Sequence, residues 1–261
     1  MKLAISNLAW DEAENQKIAS LLSKYKIKAI EVACSKVSNL KKYREFWDNQ
    51  GIKIIATTSL LYGHPELTLF ENAKTRNQTL EHLKHQADLA NQLGAKIMMF
   101  GSPKNRIKGK LTNEETLKIS RDFFTKLCDY TSQFEISLAF EPNPPIYGGD
   151  FIHTTQEAIE LAEFINHPCF GLNLDASTVA SNQENYDQSV KAAIPFAKHA
   201  HISEPFLKPI PNGQTNHQAF SQALKKHSYK NWLSIEMPLG PDVDHLQQIE
   251  KTLKFSTQVY G

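Results

Sequence analysis

The 261-residue sequence carries 29 Lys and Arg against 28 Asp and Glu, a formal net charge of +1, and this balance excludes a globally basic nucleic-acid binder. With 41% hydrophobic and 22% charged residues, the chain has apolar material for a packed core and too little charge for disorder. No window has the roughly 18 consecutive apolar residues of a membrane span, and MKLAISNLAWDEAEN offers no apolar signal region, so a soluble cytoplasmic protein is expected.

Short apolar runs rich in β-branched residues begin near Lys2, Lys28, Ile52, Ala95, Ile136, Phe170, His199 and Trp232. Each interval between them holds one crossover helix, the connection that parallel strands require. The stretch from about Glu71 to Leu93 sets Leu80, Leu83, Ala87 and Ala90 at helical spacing and stops at Gly94, whose missing Cβ suits a C-cap. Thr112-Asn-Glu-Glu115 and Thr154-Thr-Gln-Glu157 have the form of capping boxes, which predicts helix starts at Asn113 and Thr155. Alternation from end to end, with no Pro/Gly/Ser-rich linker, predicts one α/β domain over residues 1–261. No G-x-G-x-x-G follows the first strand and no P-loop occurs, so a closed (β/α)8 TIM barrel is favoured over an open nucleotide-binding sheet. Cys34, Cys128 and Cys169 are scattered and without a C-x-x-C pair, which predicts reduced thiols and no zinc ribbon.

In a parallel barrel the chemistry sits where strands run into the βα loops. Period-2 alternation places Glu141 at the end of the fifth strand on the face of Ser137 and Ala139, and Asp175 at the end of the sixth on the face of Asn173. His201 shares a face with His199 and Ser203 in the seventh strand, and Glu236 follows Ser234 in the eighth. Three carboxylates converging at one mouth would repel unless a cation sits among them. Three carboxylates and an imidazole, with no thiolate, suit one divalent ion such as Mn²⁺, Mg²⁺, Co²⁺ or Zn²⁺.

Five segments carry a family resemblance: FGSPKNR from Phe100, EPNPPIYGGDF from Glu141, GLNLD from Gly171, HAHISEP from His199 and WLSIEM from Trp232. Along essentially its whole length the chain resembles the xylose-isomerase-like TIM barrels, the superfamily of sugar-phosphate isomerases and epimerases and of the apurinic endonucleases (AP endonuclease family 2). The resemblance implies a metal held by Glu141, Asp175, His201 and Glu236, the four residues that alternation selects. It also implies metal-dependent proton transfer through an enediolate, with Glu141 and Glu236 as the catalytic acid/base pair on opposite faces of a carbohydrate substrate. Proton return to the opposite face gives epimerisation, and return to the neighbouring carbon gives aldose–ketose isomerisation. Sugar epimerases of this family usually carry a histidine, a glutamate and an arginine where this sequence has Thr178, Tyr147 and Leu207.

The loops supply the expected substrate contacts. Lys104, Arg106 and Lys208 are candidates to grip a phosphate or carboxylate, which makes an anionic carbohydrate the expected partner. His64 and His217 are candidates to face the mouth, Trp10 and Tyr62 to offer platforms for a sugar ring, and Glu31 to act as a substrate-facing or supporting acid. Two alternatives stay open: a sugar-binding barrel that has lost turnover, and a metal-dependent apurinic endonuclease. The sequence leaves a homo-oligomer open.

Overall fold

The computed structural model describes residues 1–261. Eight parallel strands close into a barrel in chain order: β1 (Lys2–Ser6), β2 (Ala29–Ala33), β3 (Lys53–Thr58), β4 (Ile97–Phe100), β5 (Ser137–Phe140), β6 (Phe170–Asp175), β7 (Ala197–Ile202) and β8 (Trp232–Ile235), with β8 pairing back onto β1. Nine helices lie between and after them: α1 (Asn15–Lys24), α2 (Leu40–Asn49), α3 (Ala73–Leu93), α4 (Asn113–Ser132), α5 (Thr155–Ile165), α6 (Ala176–Ser181), α7 (Tyr186–Ala193), α8 (His217–Lys226) and α9 (His245–Tyr260). None of the helices is long and apolar enough to cross a membrane.

Local chemistry sets the boundaries. Both capping boxes form, with the hydroxyls of Thr112 and Thr154 accepting from Glu115 N and Glu157 N at 3.2 Å each. They start α4 and α5 at the predicted residues, because each hydroxyl satisfies an amide that the helix leaves orphaned. Gly94 ends α3 at φ 77°, a left-handed conformation that a Cβ would penalise.

Strands β1, β6 and β8 begin at the predicted residues, whereas β7 begins at Ala197, two residues before the expected His199. The pairing of β6 with β7 explains the difference: Leu172 meets Ala197, the register shifts between Leu172 and Asn173, and Asn173 then meets His199. That irregularity brings Asn173, Asp175, His199 and His201 to the same side. A continuous core of 61 buried side chains joins the barrel to its helices. A separate small cluster of Ala4, Ala29, Ile55 and Ala56, with Ile97 and Trp232 against it, packs the strand starts. Polar side chains are thereby concentrated at the opposite, C-terminal ends of the strands. The three cysteines are free thiols.

Candidate metal centre

Two of the four central groups stand immediately after a strand. Glu141 N still donates to Phe100 O at 2.9 Å and Glu236 N to Ile202 O at 2.9 Å, so the barrel ladder fixes both backbones. Asp175 is the last residue of β6 and the N-cap of α6, where its Oδ1 accepts from Thr178 N and Ser177 Oγ at 2.7 Å each and its Oδ2 accepts from Ser203 Oγ. His201 lies within β7 and is fully buried. The ligand atoms of Glu141, Asp175, His201 and Glu236 all fall within 4.8 Å of one another.

The surroundings distinguish the two glutamates. Glu141 accepts from Asn173 Nδ2 at 2.6 Å on one oxygen and from Asn143 Nδ2 at 3.0 Å on the other. Glu236 meets only the imidazole of His201, at 3.2 Å. Gly101 is part of the same wall: a Cβ there would stand 2.9 Å from Glu141 Oε2 and would push that carboxylate aside.

Behind His201 lies a second, fully buried layer. Glu31 Oε2 accepts from Nε2 of His199 at 2.7 Å and from Nε2 of His201 at 3.2 Å, with all three side chains fully buried. A carboxylate can only accept, so His201 Nε2 carries a proton and its Nδ1 is turned toward Glu141 and Glu236. This Nδ1 has no hydrogen-bond partner although it lies 3.4 Å and 3.2 Å from the two carboxylates. An unpaired imidazole nitrogen and three clustered carboxylates form a donor set of oxygen and nitrogen that fits a hard or borderline divalent ion.

Electrostatics show the centre drawing positive charge to itself. Burial and the neighbouring Glu141 push the Asp175 carboxyl above its ordinary range. Burial opposes protonation of His201, but the carboxylates of Glu31 and Glu236 outweigh it and hold this imidazole well above its ordinary value. Burial would likewise raise Glu31, and the His201 and His199 rings outweigh it, leaving the carboxyl well below its usual range.

A family model for the xylose isomerase-like TIM barrel matches residues 10–259. The chain belongs to that family. Among its relatives is L-ribulose-5-phosphate 3-epimerase UlaE of Salmonella typhi, 22% identical over 172 residues, 64% of this chain and 58% of that protein. The alignment thus spans less than two thirds of this curated relative. The 3-keto-D-glucoside 4-epimerase YcjR of E. coli superposes with a TM-score of 0.84 at 14% identity, covering 98% of each chain. The IolI protein with a binding zinc atom superposes with a TM-score of 0.80 at 20% identity, over 100% of this chain and 98% of that one. These likenesses establish the shared barrel.

Within this family barrel, a cavity of about 520 Å³ opens above the four central groups and takes in Glu141, Asp175 and Glu236. Lys104, His64 and Tyr62 line it. Four other expected contacts are turned elsewhere. Arg106 is fully buried: its Nη2 donates to Glu141 O at 2.8 Å and Asn143 Oδ1 at 2.6 Å, its Nη1 to Phe151 O at 3.1 Å, and its Cζ lies 4.4 Å from the centroid of the Phe140 ring. Burial lowers its pKa to about 9, so it remains a cation at neutral pH, held as a strut and unable to reach substrate. Trp10 is buried against Trp47 with its Nε1 donating to Asn15 Oδ1 at 2.8 Å, because the first βα loop folds back over α2. His217 heads α8, where its ring meets Tyr260 Oη at 2.7 Å and Glu204 Oε1 at 3.2 Å, away from the cavity. Glu31 sits beneath His201 and cannot touch substrate.

Lys208 is exposed and outside the cavity lining. Its neighbour Leu207 lines the cavity, as do Tyr147 and Thr178 at the three positions where this chain departs from the usual epimerase pattern. The Thr178 hydroxyl is already engaged with Pro142 O at 2.9 Å. Sequence reasoning missed Asn143, Ser177 and Ser203 as partners of the carboxylates. For Asn143 the available signal is its place two residues after Glu141 in the EPN run.

Proposed function

We propose that this protein is a metal-dependent isomerase or epimerase of a keto sugar or sugar derivative. One observation carries the reading: three carboxylates and an imidazole with an unpaired nitrogen converge at the base of an open cavity. Glu141, Asp175, His201 and Glu236 would hold the ion. A divalent ion bound there supplies Lewis acidity toward a carbonyl and an adjacent hydroxyl, which makes the neighbouring C–H more acidic. The sugar-epimerase relatives support a carbohydrate substrate.

The side chains divide the remaining work. Glu236, which has no partner but His201, is the freer base and takes the proton from the substrate carbon. Glu141, steadied by Asn143 and Asn173, returns a proton from across the site. Return to the same carbon inverts it, and return to the adjacent carbon moves the carbonyl.

The test is hydrogen exchange. Protein loaded with Mn²⁺ or Co²⁺ is incubated in D₂O with a panel of pentuloses and hexuloses, and each sugar is examined by NMR for deuterium at the carbon beside the carbonyl. Exchange into at least one sugar, abolished in Glu236→Gln, is expected. No exchange into any of them with saturating metal would overturn the reading.

A further inference from the structure

The outer half of the cavity is built for something other than a phosphate. Barrels commonly cradle a phosphate with the loops after β7 and β8. Here those two loops contribute Leu207 and Glu236 to the cavity, one apolar and one acidic. Lys104 is the sole lysine or arginine in the lining, Arg106 being locked beneath the wall. Three lining carboxylates set against a divalent ion and Lys104 leave no surplus positive charge for a phosphate dianion.

What the rim offers instead is apolar. Tyr62 stands at the entrance with 76% of its surface exposed, and Leu61 and Leu207 line the same cavity. Across the opening, Tyr147 and Phe206 meet edge to face at 5.7 Å, and Tyr147 Oη accepts from Phe206 N at 2.9 Å. Phe206 and Leu207 are consecutive residues with φ of 58° and 51°, the left-handed region that bulky side chains avoid. A loop that holds two such residues there turns Leu207 into the cavity and leaves Phe206 on the rim, and strain of this kind collects where ligands are gripped. At about 520 Å³ the cavity also falls in the ~300–1,000 Å³ range that takes drug-sized molecules, more than a single monosaccharide fills.

We infer that the substrate is a neutral keto sugar carrying a second ring at the end remote from its carbonyl, a sugar or aromatic ring that lies on the apolar rim of Tyr62, Tyr147 and Leu207. The inference rests on the proposed sugar chemistry and adds the class of substituent. The flat faces of sugar and aromatic rings both present C–H or π surface to a tyrosine, whereas a phosphate presents only charge.

Calorimetric titration of the Mn²⁺-loaded protein tests it with four ligands that differ only at O6: D-fructose, D-fructose 6-phosphate, 6-O-α-D-glucopyranosyl-D-fructose and 6-O-benzyl-D-fructose. At least one ring-bearing ligand is expected to bind about tenfold more tightly than D-fructose. The 6-phosphate is expected to gain nothing over D-fructose. In Tyr62→Ala the ratio between ring-bearing and parent sugar should collapse, and Leu207→Arg should shift preference toward the phosphate. Tightest binding by the phosphate, or equal binding by all four, overturns the inference and leaves the sugar reading standing. No binding by any of the four, alongside hydrogen exchange into another ketose, also overturns it. If that exchange is absent as well, the sugar reading falls with it.

Discussion

Glu31 and His201 are joined across the barrel by a 3.2 Å hydrogen bond between residues 170 positions apart, with neither side chain exposed. The carboxylate accepts from Nε2 and so aims the opposite ring nitrogen at Glu141 and Glu236. Outer partners of this kind typically change metal affinity ~10–100-fold when removed. Glu31→Gln is therefore expected to weaken Mn²⁺ binding within that range, measured by competition with a chelator, because a neutral amide no longer polarises the imidazole. Glu31→Asp should recover little, its carboxylate being one methylene too short to reach both histidines. Unchanged affinity in Glu31→Gln would remove Glu31 from the metal's support.

Arg106 supports the fold through three acceptors and the Phe140 ring, so its replacement is read as stability. Arg106→Ala leaves the carbonyls of Glu141 and Phe151 without their donor inside the protein, and each orphaned group costs ~1–3 kcal/mol. A loss of about 3–5 kcal/mol in urea unfolding is expected. Arg106→Lys should recover only part of it, since an ammonium lacks the planar fork that reaches both sides. A loss below about 1 kcal/mol in Arg106→Ala would contradict the strut.

These two residues show what could be read from the sequence and what could not. The ends of β5 to β8 were legible because a strand alternates its faces every residue, and a parallel barrel turns every strand end toward one mouth. Glu141, Asp175, His201 and Glu236 follow from that rule alone. Loop residues obey no such period. Arg106 turns inward to a carbonyl 45 residues further on, and His217 to a tyrosine 43 residues away, so their directions are set by tertiary partners that local spacing does not encode. Lys104 and Lys208 look alike in sequence. The turn after β7 places Leu207 in the cavity and leaves Lys208 outside it.

The loop after β7 is pinned by Glu204, whose carboxylate accepts from Asn212 N, Gly213 N and Thr215 N at 2.7, 3.1 and 2.8 Å and meets His217 at 3.2 Å. Burial alone would raise its pKa, but these backbone amides and the imidazole outweigh it and hold it below the ordinary carboxylate range. A lowered carboxyl contributes stability that is complete above the unfolded value and is lost as pH falls through the native one. Glu204→Gln should cost ~1–3 kcal/mol at pH 7 and flatten the decline of the urea midpoint below pH 4.5. An acid limb of unchanged slope in the variant would refute this assignment.

Asp175 connects the ion to the thermal stability of the barrel. In metal-free protein its charge is resisted by burial and by Glu141, so the neutral, nearly isosteric Asn gives up little there, while its amide oxygen can still cap α6. Metal-free Asp175→Asn is expected to melt within ~4 °C of wild type, equivalent to about 1 kcal/mol. With Mn²⁺ at 100 times its dissociation constant, wild type should gain ~2.7 kcal/mol, because the ion binds the folded state alone. Asp175→Asn should gain much less at the same concentration, having lost one of three anionic ligands. Melting curves in chelator and in Mn²⁺ read both effects. An equal gain in the two proteins would place the ion away from Asp175. A metal-free variant melting more than ~10 °C lower would mean that the carboxylate serves the fold first, through its bonds to Ser177, Thr178 and Ser203.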